Sequence, residues 1–521
     1  MSDANEQINP IALQQGECMI DNITLVNQFQ EAIDLTFLTS SVRLFEGIDR
    51  MYVSGRLSIV DSLNLAKNFR ITGQESLTIR ARALDMTDQG DGKFAKPPNT
   101  IDRVFRVTGI TNEQPNPAQT SKNYIINFIN PLHFMAQQFR IDRALRGSYS
   151  DMLASIWLLE VHKGKIKDIG DITDFWEDTF PSTYQFNPPN MNINEIAQYI
   201  VDSGNAEGST FKNSMFFFDT VMGRQRFMSY DTMRTLKLEI PFDTYPRNSD
   251  FLSSETNIDA PYLGLNTQIM AYEKIQKSDT MGGQMEGVYA SKIRTYDPVR
   301  KLEKINNFKI GDAFKNSKET DYHPLVKLSD GDEQVNDVVY KASLFNDDGE
   351  ISLSEDYVLP ALDSVLATDS AVHYKVDMTN AYSPERKLID STTATELSST
   401  WIGDEYKDNA LLQRNSLLGQ LAQNVIRIKI PFRPDIFAGT MIRLNFQGAE
   451  LTDGPAFDET DNGYYLITRV TYNIEPLKNA GTIGIECVKD SNAIKIDDYK
   501  PLETASQPQE DASERWFIIT V

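Results

Sequence analysis

Cysteine is nearly absent from this 521-residue chain. Cys18 and Cys487 are the only two and form no CxxC pair, which excludes a disulfide framework and a cysteine-built metal cage. Both read as small buried thiols. No stretch approaches the roughly 18 continuous apolar residues of a spanning helix, and Met1 to Pro10 carries neither Lys nor Arg nor an apolar core. Neither membrane insertion nor a standard secretion signal is expected. Histidine is scarce too: His133, His162, His323 and His373 are scattered, none with a second His at metal-ligand spacing. HExxH, GxSxG and the P-loop are all missing. Carboxylate pairs arise by chance among 74 acids, so Glu177 with some distant Asp carries no inference of glycoside hydrolysis. The expectation is no catalytic residue, no cofactor and no metal. Bases number 51 and form no basic run, and the net charge of −23 disfavours tight binding to a phosphate backbone.

What is present is ample core material. Apolar residues make up 40% of the chain, with 27 Phe and 21 Tyr, and the length exceeds what one core supports, so several packed units are expected. From Cys18 to about Asn130 short alternating segments predict an antiparallel sandwich or barrel, clearest at Met51 to Ile59, Ser76 to Ala83, Val104 to Thr111 and Tyr124 to Ile129. Asp88 to Asn99, rich in Gly and Pro, predicts a loop. The period then changes. Ser150 to Val161 and Asn192 to Val201 predict amphipathic helices, capped by Ser148 or Ser150 and by Asn192. Met215 to Phe218 and Arg226 to Tyr230 flank a turn at Met222, Gly223 and Arg224, a hairpin whose alternating large residues suit a core.

A polar region follows from about Val299 to Asp408. Its centre, Asp330 to Asp356, holds nine acids against one base, Lys341. No EF-hand fits: Gly349 would put Leu344 at the first ligand position, and Gly463 puts Arg469 where a bidentate Glu belongs. A solvated acidic face is the expectation. Asp408 to Asn424 predicts one more helix, with Leu411, Leu412, Leu417, Leu418 and Leu421 as its apolar stripe. Strands resume after Pro431 and run to about Asp490. The polar stretch Glu503 to Glu514 reads as a linker, yet Trp516, Phe517, Ile518 and Ile519 end it with an apolar segment. That segment either completes this chain's fold or anchors in a partner, as buried interfacial aromatics do.

The two strand-rich ends repeat each other weakly. Val104 to Thr111 can be laid against Tyr464 to Thr471, each an apolar strand passing through Thr at the same place. Upstream, Gly73 precedes Leu77 and Ile79 as Gly439 precedes Met441, Ile442 and Leu444. Downstream, Asn123 to Ile129 answers Gly481 to Val488. Two related small barrels in one chain are the simplest account.

On four collinear stretches the chain resembles the baseplate hub proteins of contractile-tailed, T-even-like bacteriophages. They are MFFFDTVMGRQRFMSYDTM at Met215 to Met233, the strand pair Val104 to Phe128, YSDMLASIWLLEV at Tyr149 to Val161, and RNSLLGQLAQNVIRIKIPFRPDIFAGTMIRLNF, in which Gly439 turns the chain into a strand. The resemblance covers about 350 residues and, joined to the reading of the residues above, gives the expectation of an α+β, mainly β fold with two similar small antiparallel barrels, a helical linking unit and an acidic insertion. It divides the chain into a first hub barrel (18–130), a linking domain (131–265), a second hub barrel (266–298 and 409–492), the insertion (299–408) and a C-terminal tail (493–521). It further implies a non-enzymatic ring-shaped homotrimer in the virion baseplate, assembled in the host cytoplasm. Such a trimer joins the sixfold tail tube protein to the threefold central spike protein, contacts other baseplate proteins and the tape-measure protein, and leaves a lumen through which DNA passes without specific binding. The insertion and the tail depart from the family's length. Two alternatives stay open: a fused hub-and-spike effector of a secretion machine, although nothing after Asp490 offers a spike, and a carbohydrate-active or glycan-binding protein.

Overall fold

The computed structural model describes residues 16, 18–83, 100–115, 121–166, 168–179, 184–207, 214–238, 241–243, 268–277, 279–297, 302–310, 323–324, 338–345, 351–359, 371–376, 405–446 and 461–492. The fold is mainly β, as expected. The loop at Asp88 to Asn99 and the terminal residues Trp516, Phe517, Ile518 and Ile519 lie outside the described residues.

The first module comprises β1 (Cys18–Val26), β2 (Ala32–Asp34), β3 (Thr39–Gly47), β4 (Ser54–Asp61), β5 (Ser76–Ala83), β6 (Thr100–Pro115) and β7 (Lys122–Ile129). Strict alternation drives it: Leu57 and Ile59 on β4, Leu77 and Ile79 on β5, and Phe105 and Val107 on β6 are all buried in one core. The chain then enters a helical unit with α1 (Pro131–Gln138), α2 (Tyr149–Ile156), β8 (Thr173–Trp176), α3 (Ile193–Ser203), β9 (Met215–Asp219) and β10 (Gln225–Ser229). The expected caps are in place. Ser148 and Asn192 each close a reciprocal capping box, with Asp151 and Glu195 respectively. After Ile156 the helix widens into a π-turn at Trp157–Val161, which closes with the His162 amide on the Trp157 carbonyl. This unit has its own core, centred on Trp157, Ile196, Ile200, Phe217 and Phe227.

The second module is built from β11 (Phe242–Asp243), β12 (Ala271–Lys277) and, after a long excursion, four further strands. The excursion contains β13 (Ala290–Asp297), β14 (Leu302–Lys309), β15 (Val338–Phe345), β16 (Ile351–Leu359) and β17 (Ala371–Val376). β13 pairs with β14 and β17, so it stands with strands of the acidic region, and β15 and β16 form a hairpin within that region. Helix α4 (Glu405–Gln423) leads back to β18 (Asn424–Pro431), β19 (Met441–Asn445), β20 (Gly463–Glu475) and β21 (Ala480–Val488). The five-leucine stripe on α4 needs correction. Leu412, Leu417 and Leu421 are buried, whereas Leu411 and Leu418 are about two-fifths exposed and the polar Ser416, Gln420 and Gln423 are buried instead. Ser416 Oγ donates to the Val288 carbonyl at 2.6 Å and Gln423 Nε2 to the Tyr289 hydroxyl at 2.7 Å, so hydrogen bonds rather than apolar contact hold that side of the helix.

All strands of both modules belong to one 13-stranded sheet, in the order β12-β18-β21-β20-β3-β4-β7-β6-β5-β1-β2, with β11 and β19 branching from β20. The modules share a topology: β4-β7-β6-β5 in the first is matched by β18-β21-β20-β19 in the second, and β3 flanks β4 as β12 flanks β18. They also share a defect. The β6:β7 register slips between Val107 and Gly109, and the β20:β21 register slips between Ile467 and Arg469. The residues at the two slips are Thr108 and Thr468, and each hydroxyl donates at 3.0 Å to the facing strand, to Asn127 O and Glu486 O. Gly73 (φ +92) and Gly439 (φ +81) turn the chain into β5 and β19 in the left-handed region open to glycine.

Candidate functional site

The modules meet where β20, having left β19, runs onto β3. Arg469 to Ile474 pair antiparallel with Gly47 to Val42. Alternation along β3 sends Val42, Leu44 and Glu46 inward, so a carboxylate is delivered into the core at the seam. Glu46 is 1% exposed and touches three parts of the chain. Its Oε2 accepts from the Val221 amide in the β9–β10 turn at 2.6 Å; its Oε1 accepts from the Ala438 amide ahead of β19 at 2.8 Å and lies 3.2 Å from the Tyr472 hydroxyl on β20. Tyr472 Oη is also 2.7 Å from the Ile436 carbonyl, and a single hydroxyl proton serves one acceptor well. Burial, with the nearby Asp219 charge adding a little, pushes the Glu46 carboxyl up to about 7 despite its amide donors.

Asp219, at the end of β9, ties the helical unit to the first module. It accepts from Arg103 Nη2 at 2.8 Å, from Asn130 Nδ2 at 2.6 Å and from the Val53 amide at 3.3 Å. Arg103 Nη1 also donates to the Thr220 carbonyl at 2.9 Å. Across the turn Arg226 stacks 4.0 Å over the Phe437 ring, and burial lowers its guanidinium. This network is a buried clasp that draws on three parts of the chain, and it fixes how the units sit.

On the opposite, solvent face of the seam charged side chains stand beside the rings of Phe45 and Tyr272. Arg427 pairs with Glu273 and Glu486, and Arg469 with Glu486 and Asp49, which makes a charged row across β12, β18, β21 and β20. Beside it Arg43 faces Arg56 directly across β3:β4, and neither is in an ion pair among the described residues. Arg43 donates to Asn473 Oδ1 at 3.4 Å, and Arg56 lies over the Phe45 ring. An open groove of about 400 Å³ runs along this face past Arg43, Phe45, Tyr272, Glu273, Arg427 and Lys429.

The residues singled out in the sequence fall as follows. Both strands of the β9–β10 hairpin are buried along their length and belong to the core, while Gly223 and Arg224 in its turn are exposed. Glu177 accepts from the Ser229 amide at 2.6 Å and hydroxyl at 2.9 Å, a structural role. His133 and His162 are half-buried, which lowers both imidazoles. Cys18 and Cys487 are free and buried. Among the described residues no three His, Cys, Asp or Glu are grouped as a metal site. Sequence reasoning missed Glu46 and Asp219. The signal for Glu46 was there, a carboxylate in phase with Val42 and Leu44.

No protein-family model matches the sequence, and no curated protein matches it. Solved structures do match over nearly the whole chain. A tail protein from Neisseria meningitidis MC58 has 7% identity and a TM-score of 0.44, covering 91% of this chain and 97% of that one. The 43 kDa tail protein of prophage MuSo2 from Shewanella oneidensis has 8% identity and a TM-score of 0.42, covering 90% and 98%. A chain of the Francisella PdpA-VgrG complex has 11% identity and a TM-score of 0.40, covering 94% of this chain and 59% of that one. At these values the likeness assigns no function.

Proposed function

We propose that the chain is a structural baseplate hub subunit of a contractile phage tail and that it works by assembly, not turnover. In this reading each module is one hub barrel, and three copies form a ring that offers six near-equivalent modules to a sixfold tail tube and a threefold face to the central spike. Other baseplate proteins and the tape-measure protein contact the ring, and DNA passes through its lumen without specific binding. The observation that carries the reading is the duplication: two modules with the same strand order and the same Thr-centred bulge, fused edge to edge in one sheet. A protein that matches threefold to sixfold symmetry needs such a repeat, because one interface type is then reused around the ring. The network around Glu46 and Asp219 suits a part that holds its modules at a fixed angle.

The test is solution mass by light scattering, followed by class averages in negative stain. A trimer with threefold views and a central hole is expected. A monomer that persists at high concentration, also in the presence of the spike, would sink the proposal.

A further inference from the structure

Gly484 stands where the fold does not ask for glycine. It lies inside β21 and is paired on both sides, with Lys429 on β18 and Thr471 on β20. A Cβ added there would meet nothing nearer than the Thr471 carbonyl at 3.9 Å, an ordinary contact, whereas at Gly481 on the same strand it would come within 2.8 Å of Phe432 Cβ. Gly481 is needed for packing. Gly484 weakens its strand and leaves an open floor in return, the mark of a place where another backbone comes close.

That floor belongs to the groove on the solvent face of the seam. Pairing aligns two rows of side chains across it: one runs from Lys429 through Gly484 and Thr471 to Phe45, the next from Thr482 through Asn473 to Arg43 and Arg56. Neither row holds an acid. Arg43 and Arg56 stand directly opposite each other, which costs stability between like charges, and Arg50 crowds in from the β3–β4 turn, 5.8 Å from the centre of the Phe45 ring. In a chain of net charge −23, none of Lys429, Arg43, Arg50 and Arg56 is in an ion pair among the described residues. The neighbouring row, by contrast, is neutralised by Glu273, Glu486 and Asp49.

We propose that this groove binds an extended acidic segment of a partner polypeptide, laid across the strands over Gly484. The cations set its spacing. Strands lie about 4.8 Å apart and the two rows about 7 Å, so Arg43 is about 16 Å and Arg56 about 20 Å from Lys429. An extended chain advances about 3.4 Å per residue and returns to one face every second residue. Carboxylates at i, i+4 and i+6, about 14 and 20 Å along, therefore fall within reach of Lys429, Arg43 and Arg56 in turn. A nucleic acid suits the groove less well, because its phosphates follow one another without a break while Glu273 lines one side and the whole chain is acidic. All of these residues belong to one chain, so the site does not depend on the ring.

The test is fluorescence anisotropy of the full chain with two labelled peptides of about ten residues, both of Ser and Gly with three Glu. In one the Glu residues stand at i, i+4 and i+6; in the other they are adjacent. The spaced peptide should bind at least about tenfold more tightly, and high salt should release it. The Arg43→Gln, Arg56→Gln double variant should lose about tenfold or more, and so should Gly484→Val, which fills the floor, with melting unchanged. Arg80→Gln, elsewhere on the sheet and paired with Asp102, should bind as the wild type does. No binding, or equal binding of the two peptides, would overturn the proposal. Three further results would give the groove to another occupant and overturn it too: tighter binding of a single-stranded oligonucleotide of equal charge; displacement of the spaced peptide by a lower concentration of a peptide of residues 503–514, this chain's own tail; or light scattering in which the double arginine variant breaks up an assembly of wild-type copies.

Discussion

A carboxyl pushed up to about 7 is easier to bury neutral than charged, and this sets the sign of Glu46's contribution. From its ordinary value of 4.5 up to about 7, the folded chain keeps a proton there that the unfolded chain has released. Stability therefore falls as pH rises through that window and is level above it, a change of about 3 kcal/mol in all. Urea midpoints at about pH 5 and pH 8 should show this slope in the wild type and its loss in Glu46→Gln; parallel slopes would remove the assignment. Asp219 is held in place by a guanidinium and two N–H donors. Asp219→Ala strands Arg103, which is 8% exposed, without its counter-charge. The expected cost is about 3 to 5 kcal/mol, and a loss under about 1 kcal/mol would mean that Arg103 finds water instead.

At the scale of elements, equivalence between modules can be tested by paired substitutions. Thr108→Val and Thr468→Val each delete the hydroxyl that holds a bulge, and both should cost about 1 kcal/mol by chemical denaturation. Gly73→Ala and Gly439→Ala should differ. Both glycines have positive φ, but a Cβ at Gly73 would stand 3.4 Å from the Thr108 carbonyl, whereas one at Gly439 would be 2.6 Å from the Phe218 ring. Gly439→Ala should therefore be the worse by about 1 to 3 kcal/mol; equal effects would show that Phe218 can move aside. Much of this level was legible beforehand because its causes are local. Strand alternation, the caps at Ser148 and Asn192 and the turn at Gly223 depend on residues a few positions apart. The π-turn after Ile156 and the exposure of Leu411 and Leu418 were not legible, since a helical period says where a stripe lies and not what packs on its other sides. Nor was the seam: Val42 and Ile474 are neighbours only through long-range pairing.

At the scale of the whole molecule, the continuous sheet binds the fates of the two modules. β3 and β20 share their ladder, and Glu46 and Tyr472 share a buried polar contact across it. Calorimetry should find both modules melting in one transition, and Leu57→Ala, deep in the first, should lower the melting temperature of the second as well. Two resolved transitions, only one of them shifted, would show the seam to be weaker than its pairing suggests. The direction of that ladder also matters under load. The rungs lie across the strands, so a pull along β3 and β20 is shared by every rung from Val42–Ile474 to Gly47–Arg469, while a pull at right angles opens them one after another. The end at Gly47 is reinforced by the Ile48 amide on the Thr468 carbonyl at 2.9 Å and by the Asp49–Arg469 pair, so peeling from that side meets its resistance first. A body stitched in this way is stiff to shear along its strands and yields, when it yields, like a zipper from the opposite end.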